Sequence, residues 1–134
     1  MKKNMDAQGK MKILIIDDEE AFCRNLKKFL VKSGYDALVC HEGKAALELV
    51  KTEKPDLITL DMRMPGMNGF EVLRELHHLP KTPIIFVLSA IDTYEAERDL
   101  LRMGVTKAFH KPINLEELAT SIKSVLQERG AGQG

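Results

Sequence analysis

The chain has 134 residues, 44% of them hydrophobic and 30% charged, and its twenty basic and twenty acidic side chains give a formal net charge of zero. That length suits one domain with its own core, needing neither metal nor disulfide staples. The charge balance does not favour nucleic acid or an anionic membrane as a partner, no apolar run approaches the ~18–20 residues of a membrane span, and the polar start carries no secretory pattern.

Residues 1–10 read as a flexible tail. Residues 11–16 (MKILII) form a short apolar run that ends on Asp17 and Asp18. Over 19–33 the period becomes helical. Phe22, Leu26, Phe29, Leu30 and Ser33 share one face, Cys23 flanks it, and Arg24, Lys27, Lys28 and Lys32 point away. Glu19 and Glu20 suit the first turn and Gly34 the C-terminal cap. A strand over 35–40 and a helix over 43–54, with Ala46, Leu47 and Val50 inward, lead to Pro55. Residues 57–60 (LITL) then read as a buried strand that stops on Asp61, and a loop with Pro65, Gly66 and Gly69 follows.

A helix over 70–78 buries Phe70, Leu73 and Leu76. Residues 84–88 (IIFVL) are the most apolar strand and end on Ser89 and Ala90. The pattern predicts a helix over 92–103 that closes on Gly104, then a weaker strand over 106–110 that ends on Lys111 and Pro112. The last helix opens at Asn114, with Glu117 at capping-box spacing. Its stripe is Leu115, Leu118, Ala119, Ile122, Val125 and Leu126, and residues 129–134 read as a loose end. Cys23 and Cys40 lack metal-ligand spacing and read as reduced thiols of a cytosolic protein. The histidines at 41, 77, 78 and 110 read as surface residues, and Met62, Met64 and Met67 as loop packing.

Five strands alternating with five helices define an α/β domain over 11–128, a doubly wound parallel sheet with right-handed crossovers. The near-continuous apolar strands belong in the centre and the mixed ones at the edges, which the order 2-1-3-4-5 satisfies. All strand C-termini then lie on one rim, and ligands bind there, at the switch point between strands 1 and 3. That rim receives Asp17 and Asp18 from strand 1, Asp61 from strand 3, Ser89 from strand 4 and Lys111 from strand 5.

Taken singly these residues are bland: an acidic helix start, a cap, a surface lysine. Together they are not. Three neighbouring carboxylates repel one another unless a cation neutralises them, and an all-oxygen acidic site suits Mg²⁺. Two carboxylates can hold the ion while the third acts as a nucleophile. Lys111 and Ser89 add positive charge and a hydrogen bond for a phosphoryl group, the layout of an aspartyl-phosphate site.

In ILIIDDEE (13–20), LITLDMRMPGMNG (57–69), FVLSA (86–90) and FHKP (109–112), in that order and spacing, the chain closely resembles the CheY-like receiver domains of two-component response regulators. The resemblance covers residues 11–128 and implies a flavodoxin-like fold. It implies that Asp61 accepts a phosphoryl group from a sensor histidine kinase or a histidine phosphotransfer protein. Asp18 would ligate Mg²⁺ directly and Asp17 largely through water, with the main-chain carbonyl of Arg63 as a third protein ligand. Ser89 and Lys111 would contact the phosphoryl oxygens, Lys111 would pair with Asp61 beforehand, and the Lys111–Pro112 bond would be cis. Output would run through residues 92–128 to another protein, in the cytoplasm, either from a single-domain regulator or from a receiver within a longer protein.

Two positions depart from the family pattern. Ala108 stands where an aromatic switch residue is usual, and Phe109 falls on the opposite sheet face. Thr106, Lys107 and Ser121 replace the charges that pair winged-helix members of the family, so dimerisation by those salt bridges is not expected. Two rival classes are weaker. A small-molecule aspartyl-phosphate hydrolase commonly has a second acid two residues after the nucleophile, where this chain has Arg63. A flavodoxin-type cofactor binder needs a Ser-, Thr- and Gly-rich phosphate loop after strand 1, where this chain has the acidic DDEE.

Overall fold

The structure, a computed structural model, describes residues 9–64, 66–90 and 94–132, and describes only the backbone of 94–96 and 129–132. Strands and helices alternate: β1 (Lys12–Ile16), α1 (Glu20–Lys32), β2 (Asp36–Cys40), α2 (Gly43–Glu53), β3 (Leu57–Leu60), α3 (Gly69–His77), β4 (Ile84–Ser89), α4 (Tyr94–Arg102), β5 (Lys107–His110) and α5 (Leu115–Gly132). The strands form one parallel sheet in the order β2-β1-β3-β4-β5.

Alternation along each strand divides the interior into two cores. Leu14, Ile16, Ile58, Leu60, Ile85 and Val87 face α2, α3 and α4, where they meet Ala46, Val50, Val72, Leu73, Leu76 and Leu100. Ile13, Ile15, Leu57, Phe86 and Leu88 face α1 and α5, where they meet Cys23, Leu26, Leu30, Leu118, Ile122 and Leu126. Each of the Leu, Ile, Val and Phe side chains among them, buried fully, contributes about 1.5–3 kcal/mol, so both faces of the central strands stabilise the fold. Ala108 packs with the first core and Phe109 with the second, 5.4 Å from Phe86 between ring centroids.

Several local expectations shift. The buried stripe of α1 is Cys23, Leu26 and Leu30; Phe22 and Phe29 are half-buried, and Ser33 is exposed, its hydroxyl donating to the Phe29 carbonyl. In α3, Val72 is buried in full and Phe70 only in part. α5 continues to Gly132, past the expected end at residue 128. The expected tail over 1–8, the turn at Pro65 and the start of the fourth helix at 92–93 lie outside the described residues.

Two details position the loop after β3. Asn68 caps α3 with a reciprocal capping box: Glu71 N–H donates to Asn68 Oδ1, and Asn68 N–H donates to Glu71 Oε1. Gly69 packs directly on Met62, and a Cβ at Gly69 would lie 2.6 Å from the Met62 Cα. Only glycine lets these two stretches of backbone approach so closely.

Candidate functional site

Parallel register brings the acids together. Ile16 pairs with Cys40 on one side and with Leu60 on the other, so Asp17 and Asp61 each lie one residue beyond a paired position. Asp17 N–H donates to the Cys40 carbonyl at 3.0 Å, and Asp61 N–H donates to the Ile16 carbonyl at 2.9 Å. Both carboxylates are buried, while Asp18 is exposed. One oxygen from each of Asp17, Asp18 and Asp61 lies within 4.8 Å of the others. This is an acidic pocket of hard oxygen donors that can hold a divalent cation.

The same ladder brings Ser89 and Lys111 to the rim. Ser89 pairs with His110 in register, and Lys111 N–H donates to the Ser89 carbonyl at 2.9 Å. Ser89 is buried. The Lys111–Pro112 bond is cis.

Hydrogen bonds make the two acid side chains unequal. Arg63 N–H donates to Asp61 Oδ1 at 3.1 Å, while Oδ2 faces Lys111 Nζ at 3.8 Å. Burial pushes the Asp61 carboxyl up from 3.8 to about 6, the Arg63 amide opposes the shift, the Asp17 charge adds to it, Lys111 opposes it, and Asp18 adds again. A carboxylate so placed is short of positive charge, and the donor set therefore fits a hard divalent cation.

Asp17 is held on all sides. Its Oδ1 accepts the Glu19 N–H at 2.9 Å and its Oδ2 accepts from Lys111 Nζ at 2.7 Å. Its carbonyl accepts from His41 Nδ1 at 2.9 Å and from the Cys23 thiol at 3.4 Å. His41, expected as a plain surface residue, is exposed yet tethered to this carbonyl. Burial, reinforced by the Asp17 charge, pushes the Cys23 thiol up to about 12, which keeps it a proton donor.

Lys111 lies within ion-pair distance of Asp61, at 3.8 Å, but makes two shorter contacts besides. Its two short contacts go to Asp17 and to Glu19, the latter at 2.6 Å, and its Nζ sits 4.7 Å from the centroid of the Phe22 ring. Burial pulls the Lys111 pKa down, but the hydrogen bonds it donates to Asp17 and Glu19 outweigh it, and the net shift is upward. Reading the sequence for the site missed Glu19 and Phe22. Their available signal was position, on the first turn of the helix that follows the Asp pair.

The sheet order, the acidic pocket at the switch point and the lysine that follows the last strand together define a flavodoxin-like α/β domain with a charged site at its rim. Residues 13–123 match the family model for the response regulator receiver domain. The chain belongs to that family, the receiver domains of two-component systems. It is 37% identical over 117 residues to the alkaline phosphatase synthesis transcriptional regulatory protein PhoP of Bacillus subtilis, covering 87% of this chain and 48% of PhoP. It is 30% identical over 115 residues to sporulation initiation phosphotransferase F of Bacillus subtilis, covering 86% of this chain and 93% of that protein. Among solved structures, the Francisella response regulator 1452 receiver domain superposes with a TM-score of 0.84 at 28% identity, over 89% of this chain and 98% of that one. The chain spans about half the length of several curated relatives, 51% of response regulator MprA of Mycobacterium avium among them. No described helix is long and apolar enough to cross a membrane.

Proposed function

We propose that Asp61 accepts a phosphoryl group from a histidine kinase or a histidine phosphotransfer protein, and that the phosphorylated domain switches a protein–protein contact. The observation that carries this reading is the placement of Asp61: a buried carboxylate with one oxygen tied to the Arg63 amide and the other facing Lys111. Oδ2, the oxygen without that amide, attacks phosphorus, and the bond from phosphorus to the donor's leaving nitrogen breaks. Lys111 and the Ser89 hydroxyl bind the transferred phosphoryl oxygens. Asp18, Asp17 (largely through water), Asp61 and the Arg63 main-chain carbonyl hold Mg²⁺, which supplies positive charge to offset that of the phosphoryl group. The domain catalyses only its own phosphorylation and dephosphorylation.

The receiver domain proper is 11–128, flanked by 1–10 and 129–134, and it acts in the cytoplasm. Two settings are supported by relatives: a single-domain regulator, like sporulation initiation phosphotransferase F, which the match covers over 93% of its length, or the receiver of a longer protein, like PhoP, which it covers over 48%. Output runs through residues 92–128. Two contacts on this face bear on it: Lys107 Nζ donates to Ser121 Oγ at 3.3 Å, and His110 Nε2 lies 3.6 Å from Glu97 Oε2. Ala108 lines a narrow cleft with Val87, Ser89, Glu97, Leu100, Phe109 and His110, and output on this face runs without an aromatic switch at 108. Tyr94, the nearest alternative aromatic by sequence, has its side chain outside the described residues.

The test is incubation with acetyl phosphate and Mg²⁺ followed by intact mass measurement. One added phosphoryl group is expected, and none on Asp61→Asn. Equal labelling of that variant refutes the assignment. For the output face, amide NMR with beryllofluoride is expected to shift resonances across 89–112; shifts only near 17, 61 and 89, with 94–128 silent, refute it.

A further inference from the structure

An ammonium group has three N–H donors and no acceptor. Two donors of Lys111 Nζ are committed, one to Asp17 Oδ2 at 2.7 Å and one to Glu19 Oε1 at 2.6 Å. Asp61 Oδ2, at 3.8 Å, lies beyond hydrogen-bond reach. The Phe22 ring borders the same nitrogen at 4.7 Å to its centroid. Glu19 and Phe22 are three positions apart at the start of α1, a spacing that places both on one side of the helix. The beginning of α1 thus presents a carboxylate and an aromatic face to one cation, both of which attract it.

Glu19 differs from the other acids around Lys111. It is not among the three carboxylates that cluster at the pocket, and its side chain is 59% exposed where that of Asp17 is 2% exposed. Asp17 belongs to the cation pocket whatever Lys111 does. For Lys111 to reach an oxygen bound at Asp61, the bond to Glu19 is the one free to break. An ion pair with a solvent-exposed partner is weak enough to release.

We propose that Glu19 is a positioning residue that holds the Lys111 ammonium in a resting place against Phe22, in competition with the phosphoryl oxygens at Asp61. Glu19 therefore sets how readily the pocket engages a phosphoryl group. This rests on Asp61 being the phosphoryl acceptor.

The experiment uses the full chain, at saturating Mg²⁺ and low ionic strength, with beryllofluoride as the probe. Wild type is compared with Glu19→Gln, which keeps shape and removes charge. It is also compared with Glu20→Gln, which removes the same charge one residue further along the helix. Beryllofluoride affinity is read by titration, and the Lys111 ammonium resonance by ¹⁵N NMR without the probe. Glu19→Gln is expected to bind beryllofluoride about 2–5-fold more tightly, the range an exposed ion pair supports, and to shift the Lys111 resonance. Glu20→Gln is expected to do neither. Unchanged or weaker binding by Glu19→Gln overturns the proposal, and so does an equal effect of Glu20→Gln, which would mean that net charge alone is at work. Failure of wild type to bind beryllofluoride, or equal binding by Asp61→Asn, overturns the reading of Asp61 and the proposal with it.

Discussion

Lys111 Nζ stands 2.7 Å from Asp17 Oδ2, more than 1 Å closer than it stands to Asp61. The lysine therefore neutralises the buried acid of β1 first. Lys111→Met keeps the apolar stem and removes the charge. It is expected to destabilise the metal-free protein by about 1–3 kcal/mol, because Asp17 loses a charged partner while staying buried. Mg²⁺ should recover part of the loss and bind more tightly to the variant. Urea denaturation with and without Mg²⁺ checks this; equal stability without metal would exclude the role.

Asp61 yields a prediction with a pH sign. Its carboxyl is raised to about 6 in the folded state against an ordinary 3.8, so the folded protein holds this proton more tightly than the unfolded chain does. The group's contribution to stability is greatest below pH 3.8, falls as pH rises towards 6, and is flat above that. Asp61→Asn removes the charge and should stabilise the metal-free protein at pH 7.5 by up to about 3 kcal/mol, with little effect near pH 4. Urea midpoints at the two pH values decide it. A gain of the same size at both would show that charge is not the cause.

Gly69→Ala inserts a methyl group 2.6 Å from the Met62 Cα, against backbone that cannot swing aside as a side chain does. A loss of about 2–3 kcal/mol is expected. The stretch that must move begins one residue after Asp61, so Mg²⁺ affinity should fall as well. A thermal melt and a metal titration on one sample would show whether the two losses occur together.

Thr59 is buried in β3, and its hydroxyl has no hydrogen-bond partner among the described residues. Thr59→Val keeps the shape, removes the unsatisfied group and suits a strand. A gain of about 1 kcal/mol in chemical denaturation is expected, with the pocket unchanged. A loss would mean that the hydroxyl is satisfied in solution.

The centre of the fold was legible because β1, β3 and β4 are short, nearly unbroken apolar runs, each ending on a polar residue. A parallel sheet turns that pattern into a rim, and the positions of Asp17, Asp61, Ser89 and Lys111 follow from register alone. The phase of α1 was harder to read. Cys23 is small and was set beside the stripe, while Phe22 and Ser33 were set within it; packing against Ile13 and Ile15 selects Cys23, Leu26 and Leu30. The contact between Glu19 and Lys111 joins residues 92 apart in sequence through two long side chains. Spacing rules fix where backbones meet, not which of several acids a flexible lysine reaches. The Asn68–Glu71 capping box went unread, because Gly66 and Gly69 around it read as loop.

The bond from Lys111 N–H to the Ser89 carbonyl joins the ends of β4 and β5 main chain to main chain. Two positions at the ends of different strands, Ser89 and Lys111, are therefore tied through one main-chain bond. A load on the Ser89 hydroxyl or on the Lys111 ammonium is carried by the same piece of backbone.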